Sequence, residues 1–190
     1  MDTPVTAVID ACVLDSAPVR DFIIRLARAG LIQPRWTAEI HDEWMRNLLK
    51  NNPNITSERL DRTRSPMDGA VRDCLVTDYG DLPDSLTLAD PDDRHVLAAA
   101  IRSGADVIVT YNMVDFPTDA LTPYGIDARH PDELFARLLN VAPGAVCTAA
   151  KSQRESLKNP PMTVTEFLAI LEQQGLVQTV AVLRRLSGEI

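Results

Sequence analysis

The sequence predicts an α/β domain built on a central, mainly parallel sheet and followed by a small, wholly helical appendage. Three observations carry this reading. Two runs of β-forming residues, VTAVI at 5–9 and VIVT at 107–110, are separated by segments with helical apolar spacing, the alternation that yields crossover-linked parallel strands. Each run leads straight into a polar turn, and the first ends on Asp10. Beyond residue 141 strand signals vanish while helix signals continue.

Each element follows from its own residues. The first strand delivers Asp10 into a turn, and Pro18 then opens a helix in which Phe22, Ile23, Leu26 and Ala29 recur at helical spacing before Gly30 closes it. A short extended piece follows at 31–36. Thr37 is the expected N-cap of a second helix with the apolar stripe Ile40, Trp44 and Leu48, and Glu43 borders that stripe. Residues 51–54 make a polar turn around Pro53, and 57–73 reads as helical with an interruption at Pro66 and Gly69. Residues 74–76 are a candidate short strand, and 81–91 a loop. Asp90 stands before Pro91, the arrangement of an N-cap followed by N1, and introduces a helix over 93–103 that Gly104 stops. The strand at 107–110 comes next, with Asn112 and Asp115 in the loop after it. A β-like piece at 125–128 and a helix over 131–140, with Leu134, Leu138 and Leu139 on one side, complete a domain of residues 1–140.

Residues 141–190 form the expected helical appendage. Thr163-Val164-Thr165-Glu166 is a capping-box sequence, and Gly175 is a stop between two apolar helical runs. The polar stretch 151–162 contains Pro160 and Pro161 and reads as a hinge or internal connection.

Composition narrows the classes. With 190 residues and 45% hydrophobic content the chain can bury a core of ordinary size. Its start lacks the basic and long apolar regions of a secretory signal, and no stretch reaches the ~18 apolar residues of a membrane span, so the expected location is the cytoplasm and no membrane partner is expected. Cys12, Cys74 and Cys147 are odd in number and widely spaced, which predicts reduced, buried thiols. A formal charge of −8 and a pI near 4.8 exclude broad electrostatic attachment to nucleic acid. Any such substrate needs a local basic patch.

Position has to select among 27 acidic residues. An apolar strand delivers Asp10 to a sheet end, where open α/β folds bind ligands, although Asp is also a common turn residue. Asp93 shares a helical face with Val96, Leu97 and Ala100, whereas Asp92 points elsewhere and is expected to be solvated. Asp90 reads as a helix cap, and first-turn acids are favoured there by the helix dipole. Glu43 fits either a site role or pairing along its helix with Arg46 or Asn47. Asn112 and Asp115 fit turn chemistry as well as a ligand role. His41, His95 and His130 form no zinc motif, so an all-oxygen set points to Mg²⁺ or Mn²⁺.

Taken together, VIDACVL around Asp10, EIHDEWMRNL around Glu43, DPDDRHVLAAAIRSGADVIVTYN and the VDFP that holds Asp115 resemble the PIN (PilT N-terminal) domain ribonucleases, especially the VapC-like toxins of toxin-antitoxin pairs. The likeness spans roughly residues 5–139, and the tail from Asn159 to Leu186 resembles the extra helical domain of a longer VapC-like subgroup. The resemblance implies an α/β/α sandwich, an acidic pocket of Asp10, Glu43, Asp93 and Asp115 that holds Mg²⁺ or Mn²⁺, and hydrolysis of RNA. It makes Asp90 and Asn112 candidates to reach the ion through water. It also implies a cognate antitoxin protein as partner, a homodimer, and a structured RNA such as tRNA as substrate. Arg46, Lys50 and Arg94 are the candidate RNA contacts, with the cluster Arg59, Arg62 and Arg64 as a further candidate patch. Cys12 stands where many members carry Asn, Ser or Thr, and Asn112 where many carry Asp, which moves that ligand role to Asp115. Two other readings stay open: a PIN-fold interaction module without catalysis, and a phosphoaspartyl phosphatase or receiver-type protein built on Asp10.

Overall fold

The computed structural model describes residues 4–190. Strands β1 (Val5–Ile9), β2 (Ile32–Arg35), β3 (Val107–Val109) and β4 (Asp127–Arg129) form one sheet in the order β2-β1-β3-β4, with every neighbouring pair parallel. Ala7, Val8 and Ile9 pair with Val107, Ile108 and Val109, and all six are buried. Successive strand residues point to opposite faces, so burial of three in a row means that both faces are covered. The architecture is therefore the expected α/β sandwich, with a sheet that is parallel throughout.

Among the described residues, ten α-helices accompany the sheet: α1 (Ala11–Leu14), α2 (Ala17–Arg28), α3 (Ala38–Asn51), α4 (Ser57–Ala70), α5 (Arg94–Ser103), α6 (Thr118–Leu121), α7 (Pro131–Val141), α8 (Pro143–Ser156), α9 (Val164–Gln173) and α10 (Val177–Arg185). Among the described residues, no helix is long and apolar enough to cross a membrane. Local chemistry explains the boundaries that matter for the site. Thr37 caps α3 by accepting from the Ile40 N–H at 3.0 Å. Gly104 ends α5 in the left-handed region, at φ 61°, and turns the chain into β3.

Several elements depart from the sequence reading. A short helix, α1, replaces the plain turn expected after Asp10. Helix α4 runs through Pro66 without a break, held by burial of Leu60 and Met67 seven residues apart. Residues 74–76 contribute only a parallel bridge from Leu75 to Trp36 in place of a strand. The last strand lies slightly later than expected, because Gly125 first closes a turn at φ 69°. The first half of the polar stretch expected to be a hinge belongs to α8, since its polar side chains bond to α2. Gln153 donates to the Pro18 carbonyl at 2.8 Å, and Arg25 reaches the Ser152 hydroxyl at 2.6 Å and the Ser156 hydroxyl at 3.0 Å.

A polar chain in the interior fixes α3 against α4. Trp44 Nε1 donates to His41 Nδ1 at 2.9 Å, His41 Nε2 lies 3.0 Å from Asp68 Oδ1, and Trp36 Nε1 donates to the same oxygen at 2.8 Å. Because Nδ1 accepts, His41 is neutral with its proton on Nε2, and burial lowers its pKa in the same sense. This chain sets the rotation of α3, and with it the position of Glu43.

Candidate metal centre

In the order β2-β1-β3-β4, β1 connects to β2 on one side while β3 lies on its other side. The sheet's switch point therefore falls between the carboxyl ends of β1 and β3, where open α/β sheets form a crevice. Asp10 leaves β1 at that point. Its backbone N–H continues the ladder to the Val109 carbonyl at 3.0 Å, and its side chain is 5% exposed. Although it occupies the N-cap position of α1, the carboxylate caps nothing. Instead Oδ2 accepts from the Thr110 hydroxyl at 2.7 Å and from the Cys12 thiol at 3.0 Å. Burial, then the charge of Asp10 and the hydrogen bond to it, push the Cys12 thiol up to about 12, so it remains a protonated donor. Cys12 is the one described cysteine that is not fully buried, and its polar contacts explain why.

The other predicted acids approach from three directions. Asp93 stands at the start of α5, and its carboxyl is pushed up to about 7. Burial is the largest cause, followed by the charges of Asp10, Asp115, Asp90 and Glu43. Glu43, from α3, is likewise raised by burial and by Asp10, while His95 and Arg46 oppose the shift. Asp115 follows β3 in a turn in which its N–H bonds to the Asn112 carbonyl at 3.2 Å. Asp90 is exposed and caps the turn that leads into α5, accepting from the Asp92 N–H at 2.9 Å. Asp92 is exposed, as expected. Asn112 is exposed too, and it bonds through its backbone: its N–H donates to the Thr110 hydroxyl at 2.9 Å.

Two residues join the cluster that the sequence did not single out. Asp15 ends the short helix α1, its Oδ1 is buried without a hydrogen-bond partner, and burial together with Glu43 and Asp10 pushes its carboxyl up to about 6 against the opposing charge of Arg20. Recognition of a helix directly after Asp10 would have revealed it. His95 donates from Nδ1 to the Asp92 carbonyl at 2.6 Å and points Nε2 at Glu43 Oε2 across 3.6 Å. That separation allows charge attraction but is too long for a hydrogen bond.

A cleft of about 530 Å³ opens beside these acids, lined among others by Glu43, Asp93, His95, Arg46, Asn47 and Arg94. Arg46 and Arg94 thus face the cleft, whereas Lys50 is exposed near the end of α3 and does not line it. Arg62 and Arg64 are engaged with Glu58 and Asp42. Among the described residues, no three His, Cys, Asp or Glu side chains stand close enough to chelate an ion. The donor set nevertheless fits a hard divalent cation. It is made of carboxylate oxygens, and Asp93, Glu43 and Asp15 are each raised by burial first and then by the charge of neighbouring acids, Asp10 among them in every case.

Comparison with known proteins identifies the family. Residues 6–113, more than half of the chain, match the family described as PIN domain, and residues 131–185 match the VapC50 C-terminal domain. The chain is 43% identical over 94 residues to "Putative ribonuclease VapC50" of Mycobacterium tuberculosis. That alignment covers 50% of this chain and 55% of the relative, so the chain spans about half the length of the protein it matches. No solved structure matches it. The PIN match runs from β1 to the turn after β3 and so contains Asp10, Glu43 and Asp93; the chain belongs to the PIN domain family, in a VapC-like form with a C-terminal extension.

Proposed function

We propose that the chain is a divalent-metal-dependent ribonuclease that hydrolyses RNA phosphodiester bonds, and that it acts as the toxin of a toxin-antitoxin pair on a structured RNA such as tRNA. The observation that supports this reading is the delivery of buried Asp10 to the carboxyl end of β1 at the switch point, with Asp93 near enough that, after burial, the charges of Asp10, Asp115, Asp90 and Glu43 raise its carboxyl. Asp10, Asp93, Asp115 and Glu43 would hold Mg²⁺ or Mn²⁺, with Asp90 and Asn112 reaching it through water. The bound ion would supply Lewis acidity and offset the charge that develops on the phosphodiester.

The chain's own residues have separable tasks. Thr110 and Cys12 both bond Oδ2 of Asp10 and fix its rotamer, and among the described residues no donor reaches Oδ1. Arg46 and Arg94 line the cleft where phosphates would lie and provide the local patch that the acidic composition demands. Glu43 Oε2 faces His95 Nε2 across 3.6 Å, which fixes the orientation of this carboxylate at the edge of the cleft. In this reading residues 1–140 form the nuclease domain and 141–190 the helical domain. Cytoplasmic location, an antitoxin partner and a homodimer belong to the same proposal.

The changes at Cys12 and Asn112, at positions where many members carry other residues, support a second reading, a PIN-fold module that binds a partner without catalysis. One assay separates the two. Purified chain is incubated with labelled RNA, with Mn²⁺ or with chelator, beside Asp10→Asn and Asp93→Asn. Cleavage that needs Mn²⁺ and is lost in both variants is the expected result. No cleavage by the metal-loaded wild type, or normal cleavage by both variants, overturns the nuclease reading. Growth arrest on expression, relieved by a neighbouring gene product, tests the toxin role.

A further inference from the structure

We infer that the turn between α9 and α10 forms one wall of a nucleobase subsite beside Asp10, through which the C-terminal helices select the RNA. The inference rests on the ribonuclease reading and adds to it a place for the base next to the scissile phosphate. A second cavity, of about 390 Å³, is lined by Cys12, Asp15, Ser16, Tyr111, Gln173 and Gln174. Cys12 is also the donor to Asp10 Oδ2, so this cavity and the acidic cluster share a wall. Its size lies in the range of small-ligand pockets.

The turn is held in place by bonds from both neighbours of the site. Tyr111, one residue after Thr110, donates its hydroxyl to the Gln174 carbonyl at 2.8 Å. Ser16, one residue after Asp15, donates to Gln174 Oε1 at 2.7 Å. Gly175 has φ +83°, and a Cβ there would meet the Tyr111 and His130 rings at 3.8 and 3.9 Å, so a backbone conformation suited to glycine brings the turn against the rings. Behind it, the buried Asp132 carboxylate accepts the backbone N–H groups of Gln178 and Thr179, each at 2.8 Å, and pins the start of α10 to α7. The wall is thus part of the site's framework.

The lining suits a base better than a phosphate or a peptide. Asp15 would repel a phosphate, which belongs on the side of Arg46 and Arg94. With Gln174 Oε1 taken by Ser16, that amide has N–H groups left to donate, Asp15 offers an acceptor, and Tyr111 offers an aromatic surface. A donor, an acceptor and an aromatic surface are how proteins read unstacked bases. An apolar antitoxin segment would find only one ring here.

The test uses the full chain carrying Asp10→Asn, to prevent turnover, with fluorescent single-stranded oligoribonucleotides varied at each position, in Mn²⁺. Gln173→Ala combined with Gln174→Ala should weaken binding about tenfold and flatten the preference at one position, with the melting temperature lowered no more than by Ser16→Ala, which removes the same bond to the turn but keeps both amides. Gln174→Glu, which replaces the donor with an acceptor, should change which base is preferred there; a purely structural role would not. Unchanged affinity and preference, or an absence of RNA binding by every form, overturns the subsite. Substitutions that impair capture of an antitoxin peptide but not of RNA also overturn it. Base-selective binding without cleavage by the wild type keeps the subsite and removes the nuclease reading, whereas cleavage whose preference ignores these residues does the reverse.

Discussion

Substituting Asp93→Asn should stabilise the metal-free protein at pH 8. The Asp93 carboxyl lies at about 7, against 3.8 in an unperturbed chain. At 1.36 kcal/mol per pH unit the ceiling on this penalty is ~4 kcal/mol. The group is partly exposed, and solvent screening reduces the figure to the order of 1–2 kcal/mol. The sign follows from linkage. Below pH ~4 the acid is protonated in both folded and unfolded chains and costs nothing; as pH rises towards 7 the unfolded chain ionises freely while the folded one resists, so stability is lost, and above 7 the penalty is complete. For a chain of this size about 1–2 kcal/mol corresponds to about 3–6 °C. Thermal unfolding in chelator should therefore show Asp93→Asn melting about 3–6 °C above wild type at pH 8, with the difference shrinking towards pH 4. Mn²⁺ should raise the melting temperature of the wild type at pH 8 and that of the variant much less. A variant no more stable than wild type at pH 8, or a gain that ignores pH, would refute the claim that burial, together with the neighbouring acids, makes the ionised Asp93 costly to the fold.

Two further expectations concern the Asp10 anchor and the grip on RNA. Thr110 is fully buried and donates to a carboxylate, a bond worth ~1.5–3 kcal/mol, so Thr110→Val should lose about that much in urea unfolding and weaken Mn²⁺ binding by calorimetry. Cys12→Ser, which keeps a donor, should hold Mn²⁺ within a few-fold of wild type, whereas Cys12→Ala should not; equal affinities would deny Cys12 its role. With Arg46 and Arg94 as the two cleft cations, the logarithm of RNA affinity should fall against the logarithm of salt with a slope near −1.4, about −0.7 for each phosphate neutralised on a single strand. A slope steeper than about −3 in an anisotropy titration would point to a wider basic surface.

The sheet and most helices were legible because their signals are local and repeated: VTAVI, VIVT, the stripe of Ile40 and Trp44, and the stop at Gly104. What escaped depends on tertiary partners. Pro66 argues for a break that packing of Leu60 and Met67 overrides, and the polar residues of α8 look like a linker until Pro18 and Arg25 are seen to bond them. In the site, the acids at strand and helix ends could be read, since Asp10 and Asp93 sit where topology places ligands. Asp15 and Tyr111 could not, because one depends on an unforeseen four-residue helix and the other on a turn 63 residues away in sequence.

The two departures from the family pattern acquire different meanings in the fold. A carboxylate expected to bind a cation needs its other oxygen restrained, or rotamer freedom opposes binding. At Asp10 that restraint comes from Thr110 and, in place of the more usual amide or hydroxyl, from a thiol at 3.0 Å whose raised pKa keeps its proton, so Cys12 conserves the donor while changing the atom. Asn112 does not compensate in this way. Its backbone N–H secures the Thr110 hydroxyl, its side chain is exposed, and the turn it begins carries Asp115 to where its charge acts on Asp93. In the proposed metal site the acid at this corner would be supplied three residues later, while the backbone of Asn112 orients the hydroxyl that orients Asp10. Loss of the carboxylate at position 112 accordingly alters how the corner is built more than the charge available to a cation.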